Sequence, residues 1–380
     1  MRMFPLCITA SSLACMLACG GTAAQTGGSG IPTGGGTVEA GRAFVYVGGA
    51  PDTIQTFLLD RSTGVLEPKG KIDGGRNPSF LTADSKHRFV YAVNEDSDQV
   101  AAFAINADTG QLTLLNRVSS EGKGPAYVSM DRTGHWALVA NYGGGTVAVL
   151  PVRADGSLGA AVDVESPGTN SHLIRTDPSN QFAFVPNLGS DMVSQFRFDV
   201  KTGKLEPNSP PKVDTTPGAG PRHIEFHPTA PYVYLINEAG DSVVVHALDK
   251  ASGTLSPIQT VTTIPSGFDP AQNYCADLHA SADGRFLYGT NRGHDSIVAY
   301  SIDAGTGKLS LIGHTSTDGH WPRNFGLDPA GGILLVANQK SGTVVTFRID
   351  PSTGMLTELV KTAVGDGPAW VGVIEQPARP

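Results

Sequence analysis

Ionisable side chains occupy matching positions in four neighbouring segments in the middle of this chain. They are His172, Arg222, His223, Glu238, Asp277, His279, Arg292 and Arg323, and Asn324 follows the last arginine. Arginine binds anions and stabilises the oxyanion of an acyl-transfer reaction, while glutamate or histidine accepts a proton from water. These residue types suit hydrolysis of an ester-like bond, provided that the fold brings them together.

A turn of the type Thr-Gly-x-Leu recurs seven times and indicates the architecture that carries these residues. Its glycines are 46 to 54 residues apart, at Gly64, Gly110, Gly156, Gly203, Gly253, Gly307 and Gly354. A period near 50, with short β segments between turns, is typical of propeller blades. The sequence therefore predicts an all-β, seven-bladed β-propeller with four antiparallel strands per blade, named a to d in chain order.

The register of the repeat predicts how the ring closes. The first β segment, residues 44–47, reads as a strand b, and the last, residues 367–373, reads as an isolated strand a. Together they complete one blade, which pairs strand edges that would otherwise stay open. We therefore expect the propeller to span residues 43–376, with one blade closed by both termini.

The antiparallel strands predict which mouth of the central channel carries function. The start of strand a and the end of strand b share one mouth, whereas the a–b turns and the Thr-Gly turns lie at the other. An asparagine ends strand b in six blades, which suggests a structural bond to loop backbone; these are Asn94, Asn141, Asn187, Asn237, Asn291 and Asn338. His227, in an a–b turn, is expected to be a solvent-exposed residue of the far mouth.

The ionisable residues lie in four consecutive blades and not evenly around the ring. Burying so many charges near a channel is unfavourable unless they are paired or bind a ligand. Two readings stay open: an internal ion-pair network that lines the channel, or a ligand site. The uneven distribution favours a site. The connection at residues 264–276 reaches the same mouth, as a rim or lid or as a tolerated loop insertion.

Composition and the N-terminal segment bear on cellular location. The net charge of −8 gives no support to nucleic acid or anionic membrane as a partner. Residues 1–19 read as a signal peptide of the lipoprotein type, ending at Cys19, and residues 20–42 as a flexible Gly/Ser/Thr linker. We expect an exported monomer, periplasmic or anchored to the outer membrane through a lipid on Cys19. Only Cys275 remains in the predicted fold, which excludes an intrachain disulfide there.

The segments 220–228, 237–238, 277–279, 291–292 and 322–325 resemble the bacterial lactonase family of seven-bladed propellers. That family includes the propeller-type 6-phosphogluconolactonases and is similar to carboxy-cis,cis-muconate cyclase. The resemblance implies that His172, Arg222, Glu238 and Arg323 are catalytic. It places His223, Asp277, His279, Arg292 and Asn324 beside them as substrate-binding residues, and it implies neither a metal nor another cofactor.

The expected reaction is hydrolysis of an anionic or sugar-derived lactone. Arg222 and Arg323 would bind the carbonyl oxygen and any carboxylate or phosphate, and Glu238 or His172 would activate water. An export signal makes a cytosolic pentose-phosphate lactone an unexpected substrate. Two alternatives remain: a non-catalytic propeller that binds a sugar acid, a cell-wall fragment or a protein, and a cyclase acting on an unsaturated dicarboxylate.

Overall fold

The computed structural model describes residues 41–49 and 51–377, and these form a ring of seven four-stranded antiparallel sheets. The predicted signal peptide with Cys19, and the predicted linker as far as residue 40, lie outside the described residues. The first strand begins at Arg42, within the predicted linker by one residue. No helix among the described residues is long and apolar enough to cross a membrane.

The strands follow one another with few interruptions. They are β1 (Arg42–Gly49), β2 (Thr53–Leu59), β3 (Leu66–Asp73), β4 (Phe80–Ala83), β5 (Phe89–Asn94), β6 (Gln99–Ile105), β7 (Leu112–Ser119), β8 (Pro125–Met130), β9 (Trp136–Asn141), β10 (Thr146–Pro151), β11 (Asp163–Glu165), β12 (Arg175–Thr176), β13 (Phe182–Asn187), β14 (Met192–Asp199), β15 (Lys204–Asp214), β16 (Pro221–Phe226), β17 (Tyr232–Asn237), β18 (Ser242–Asp249), β19 (Thr254–Thr262), β20 (Tyr274–Ala280), β21 (Phe286–Arg292), β22 (Ser296–Ile302), β23 (Leu309–Ser316), β24 (Pro322–Leu327), β25 (Ile333–Asn338), β26 (Thr343–Ile349), β27 (Leu356–Ala363) and β28 (Pro368–Gln376). Three short 3₁₀ helices span Glu95–Ser97, Leu188–Ser190 and Pro270–Gln272.

The blades are numbered here by their innermost strand a. Blades 1 to 6 are β4–β7, β8–β11, β12–β15, β16–β19, β20–β23 and β24–β27, and blade 7 is β28 with β1–β3. Five pairs of neighbouring a strands contact one another around the channel: β28 with β4, β4 with β8, β16 with β20, β20 with β24, and β24 with β28. In blade 7, β28 pairs with β1 in antiparallel register from Arg42 opposite Gln376 to Gly49 opposite Pro368. Both the seven-bladed fold and its closure by the two termini are confirmed.

The Thr-Gly turns have a structural role that explains their recurrence. All seven glycines have φ between 66° and 85°, a left-handed conformation that favours glycine. The Asp or Asn that begins six of these turns accepts the backbone N–H two residues on. Six of the glycines also lie against the aromatic ring that begins strand b of the preceding blade: Phe44, Phe89, Trp136, Phe182, Tyr232 and Phe286. The turns therefore hold each blade to its neighbour.

We expect Gly253→Ala to lower the free energy of unfolding by at least ~2 kcal/mol, because two penalties combine. Gly253 has a φ of 66°, and an added Cβ would lie 2.1 Å from Cδ1 of Phe182. Gly331→Ala is the matched control, since its φ is 83° but nothing lies within 4 Å of the added Cβ. Thermal unfolding of both variants separates strain from packing. Equal losses would contradict the packing role of the turn.

The recurring asparagines at the ends of the b strands bind loop backbone, as predicted, in four blades. Nδ2 donates to the carbonyl that precedes strand a of the same blade, from Asn94 to Gly74, Asn141 to Ser120, Asn291 to Thr263 and Asn338 to Thr317, at 2.6 to 2.9 Å. In blades 3 and 4 the asparagine donates to a serine hydroxyl of strand c instead. The bonds to backbone hold the segment before strand a next to the end of strand b, at the mouth where both are found.

The prediction that His227 is exposed is wrong. Its side chain is buried in the a–b turn of blade 4. Nδ1 accepts the backbone N–H of Thr229 and of Ala230, and Nε2 lies 3.1 Å from the carbonyl oxygen of Gly284 in the next blade. His227 therefore joins two turns at the far mouth, which a turn position in the sequence does not reveal.

Candidate active site

A cavity of about 160 Å³ lies at the mouth where a strands begin and b strands end. Its lining comes from six blades: Glu95, Ala126, Tyr142, His172, Arg222, Glu238, Arg292 and Arg323. Five of the nine predicted site residues therefore meet in one cavity, namely His172, Arg222, Glu238, Arg292 and Arg323. The cavity is small compared with the several hundred Å³ typical of larger ligands, so it suits a single sugar-sized ring.

Glu238 is held between two arginines. Its Oε2 lies 2.8 Å from Nη2 of Arg292 and 3.0 Å from Nε of Arg222. The Arg222 contact lies off the N–H direction, so it is an ionic contact and not a directed hydrogen bond. Burial alone would raise the pKa of the Glu238 carboxyl, but Arg292 and Arg222, followed by Arg323, outweigh it and lower the pKa below its ordinary value. Glu238 is therefore ionised at neutral pH.

Arg292 is held in position by the first residues of β20. Its Nε donates to the carbonyl of Tyr274 and its Nη2 to the carbonyl of Cys275, at 3.1 and 2.9 Å. The guanidinium also lies over the ring of Trp321, 5.4 Å from the centroid. The start of β20 therefore supports the cavity wall through Arg292, and the role of the connection that precedes this strand stays a prediction.

Arg323 faces an acidic residue that the sequence prediction missed. Its Nη2 lies 3.8 Å from Oε2 of Glu95, which follows Asn94 in blade 1. Glu95 occupies the same position of the repeat as Glu238, directly after the asparagine that ends strand b. That equivalence is the signal in the sequence for Glu95, although blade 1 lies outside the four blades that are rich in charge.

His172 is a buried, uncharged imidazole in the cavity wall. Burial, followed by the charges of Arg222 and its neighbours, lowers the pKa of His172 well below its ordinary value. Its Nδ1 is buried and has no hydrogen-bond partner among the described residues. The ring packs edge-on against Tyr142 and His223, with centroids 5.4 and 5.0 Å away. Tyr142 is a second wall residue that the sequence prediction did not include.

Three of the predicted substrate-binding residues lie in a buried layer beneath the cavity and do not line it. His223 Nδ1 lies 2.7 Å from Oδ1 of Asp277, and Asn324 Nδ2 donates to Oδ2 of Asp277. All three side chains are at most 3% exposed. This layer separates the small cavity from the rest of the channel.

His279 lies on the far side of that layer, in a second cavity of about 490 Å³. Nδ1 of His279 lies 3.4 Å from Glu225, and Arg175 donates to the same carboxylate at 2.7 Å. Burial opposes the charge on His279, but Asp277 and Glu225 outweigh it and raise its pKa to about 10. The structure therefore does not bring His279 to the cavity that holds Arg222. Here an internal ion-pair network does line the channel.

The geometry of the ring and of its charged cavity can now be compared with known proteins. Residues 44–373 match the family described as lactonase, 7-bladed β-propeller. The chain belongs to this lactonase family. It is 34% identical over 344 residues to the 6-phosphogluconolactonase of Bacillus subtilis (strain 168), a match that covers 87% of this chain and 97% of the relative.

Two further relatives agree with this assignment. The 6-phosphogluconolactonase of Erwinia tasmaniensis is 35% identical over 307 residues, covering 81% of this chain and 89% of its own. The structure of the periplasmic gluconolactonase of Pseudomonas aeruginosa superimposes with a TM-score of 0.82 at 31% identity, covering 88% of this chain and all of that one. The predicted family is confirmed, and with it the predicted enzyme class, a lactonase.

The cavity of this lactonase has an uneven charge balance. Three guanidinium groups (Arg222, Arg292 and Arg323) face two carboxylates (Glu95 and Glu238), and His172 is neutral, which leaves one positive charge. Burial and the neighbouring Arg292 lower the pKa of Arg222, although a guanidinium stays protonated at neutral pH. A desolvated cation without its own counter-ion favours an anionic ligand. Among the described residues, no group of three or more His, Cys, Asp or Glu side chains is arranged to hold a metal ion.

Proposed function

We propose that the protein hydrolyses a sugar-derived lactone, preferably an anionic one, at the cavity lined by Arg222, Glu238 and Arg323. The observation that carries this proposal is the unbalanced positive charge around a cavity of about 160 Å³ in a member of the lactonase family. The named activities of the Bacillus, Erwinia and Pseudomonas relatives support a sugar lactone as the substrate class.

The reaction adds water to the lactone carbonyl. The water oxygen forms a bond to the carbonyl carbon, and the electron pair of the carbonyl double bond moves onto its oxygen. Guanidinium groups stabilise that oxyanion more strongly than the uncharged ground state, which lowers the barrier. When the carbonyl re-forms, the bond to the ring oxygen breaks, this oxygen takes a proton, and the product is a carboxylic acid that ionises.

Glu238 is the proposed general base. The shortest contacts of both arginines are to Oε2, and Oε1 accepts no hydrogen bond from the described residues, so Oε1 is the oxygen that we propose accepts the proton of water. The arginines keep the carboxylate ionised, while its reduced basicity is offset by the fixed geometry of the cavity. His172 is the alternative base, because it is neutral and its Nδ1 has no hydrogen-bond partner within residues 41–49 and 51–377. This scheme routes no step through a metal or another cofactor.

The pH dependence of kcat/KM follows from the direction of these pKa shifts. A base acts above its own pKa, and the pKa of both Glu238 and His172 is lowered. We therefore expect kcat/KM to stay constant from about pH 7 down to about pH 5 and to fall only at lower pH. Initial rates of acid release in a pH-stat measure this. A half-maximal value near pH 6.5 would instead indicate an unperturbed histidine base.

The substrate is proposed to be extracytoplasmic. Residues 1–19 read as an export signal with Cys19 as a candidate lipidation site, and the Pseudomonas relative is described as periplasmic.

A panel of γ- and δ-lactones, monitored by acid release with the wild type and Glu238→Gln, tests the proposal that the protein hydrolyses a lactone. Turnover of a lactone that depends on Glu238 supports it. Binding of a sugar acid without turnover would favour the non-catalytic alternative, and ring closure of an unsaturated dicarboxylate would favour the cyclase.

A further inference from the structure

Beneath the cavity, a chain of buried contacts connects Asp277 through His223 to Arg222. Oδ1 of Asp277 lies 2.7 Å from Nδ1 of His223, and Nε2 of His223 lies 3.3 Å from Nη1 of Arg222. We propose that His223 and Asp277 are positioning residues that orient the Arg222 guanidinium and do not touch the substrate. This inference rests on the role of Arg222 in the proposed function.

The protonation state of His223 follows from its two neighbours. Burial, followed by the charge of Arg222, lowers the pKa of His223 to about 4, so the imidazole is neutral at pH 7 and carries one N–H. The carboxylate of Asp277 can only accept, so the hydrogen is on Nδ1. Nε2 therefore presents a lone pair to Arg222, and Nη1 donates to it. Only this tautomer satisfies both neighbours.

Asp277 is fixed by its own strand β20 and by the neighbouring blade 6. Its Oδ1 also accepts the backbone N–H of Leu278, and its Oδ2 accepts from Nε2 of His279 and Nδ2 of Asn324. Asn324 in turn accepts the backbone N–H of Val371. Burial opposes the negative charge, but His279 and His223 outweigh it and lower the pKa of Asp277. A fully hydrogen-bonded buried carboxylate is a rigid reference point for the histidine above it.

These contacts determine which face of Arg222 reaches the cavity. Nη1 donates to His223 and to the carbonyl of Ala276, which uses both of its hydrogens. Nε lies against Glu238. Nη2 is then the nitrogen left for a substrate oxygen. Without His223, only the Ala276 carbonyl and Glu238 would hold the guanidinium, so it could shift, and a displacement of about 1 Å at such a site lowers rates by about 100-fold.

A double-mutant cycle tests this role. We expect His223→Leu to lower kcat ~10–100-fold while KM changes less, because Arg222 is misdirected and the cavity wall is kept. If His223 acts only through Arg222, then the double variant His223→Leu/Arg222→Ala has the same kcat as Arg222→Ala alone. His223→Gln can accept from Arg222 and donate to Asp277, so it should recover most of the activity. The matched control is His246→Leu, which removes a buried histidine of strand β18.

A readout independent of turnover keeps this inference separate from the proposed function. In a crystal structure of His223→Leu, we expect Arg222 to have left its 3.0 Å contact with Glu238. In a crystal structure of His223→Gln, which is the variant to use if the leucine variant does not fold, we expect Arg222 to keep that contact. An undisplaced Arg222 in His223→Leu, or additive losses in the cycle, would overturn the positioning role. If Arg222 is displaced in His223→Leu but the wild type hydrolyses no lactone, the positioning role of His223 is upheld and the proposed function is rejected.

Discussion

We expect Glu238→Gln to hydrolyse its lactone at least ~100-fold more slowly than the wild type. The amide keeps the shape of the side chain but cannot accept a proton from water. It also leaves Arg222 and Arg292 without their shared counter-ion, so the affinity for an anionic lactone should not fall. The loss is therefore expected in kcat and not in KM. Initial rates over a range of substrate concentrations measure both.

The control for this variant is Glu95→Gln at the equivalent position of blade 1. Glu95 lies 3.8 Å from Arg323, a longer contact than either pair of Glu238, and we expect less than about a 10-fold change in kcat. Wild-type rates in folded Glu238→Gln would reject the general-base role. A large loss of kcat in Glu95→Gln, with none in Glu238→Gln, would assign the general-base role to Glu95.

Arg222→Ala is expected to lower kcat by about 100- to 1,000-fold, the effect of removing one oxyanion donor. Arg222 is 2% exposed and contacts Glu238, His223 and the backbone of Ala276, so it is both desolvated and fixed. A preorganised donor of this kind requires no rearrangement when charge develops on the substrate. The variant also removes one of the three positive charges, so KM for an anionic lactone should rise.

Arg132→Ala is the matched control for Arg222→Ala. Arg132 lines the larger cavity at the opposite mouth, and its guanidinium has no ion pair among the described residues. We expect its kinetic constants to equal those of the wild type. An unchanged kcat and KM in Arg222→Ala would remove this arginine from the site, and a loss in Arg132→Ala alone would place catalysis at the other mouth.

The fold was predictable because it repeats. Each Thr-Gly turn contains a left-handed glycine, and six of the seven glycines pack on an aromatic ring of the preceding blade, so the motif recurs where blades meet. The asparagines that end the b strands recur for a similar reason, since four of the six donate a hydrogen bond to the backbone that precedes strand a. Repetition of a physical constraint leaves a period in the sequence, and that period fixed the blade count and the closure by β28 and β1.

The site was predictable only in part, because sequence period gives the position around the ring better than the depth along the channel. Arg222 and His223 are adjacent in β16, yet only Arg222 lines the small cavity. His279 lies two residues after Asp277 in β20 and reaches the opposite cavity. Successive residues of an a strand lie at different depths along the channel, and bulges near Pro125, Pro221 and Pro322 interrupt the regular alternation of their side chains, so the spacing of the repeat does not give this depth.

The most direct test compares acid release by the wild type from two lactones that differ only by a phosphate group, glucono-δ-lactone and its 6-phosphate. The assay is run at about pH 6.5, where spontaneous hydrolysis is slow. The positive charge left by three arginines and two carboxylates predicts turnover with a higher kcat/KM for the anionic substrate, and a loss of that preference in Arg323→Ala. Lactone hydrolysis at this cavity would be contradicted if the wild type hydrolysed neither lactone above the background rate. It would also be contradicted if Arg222→Ala and the wild type had equal turnover.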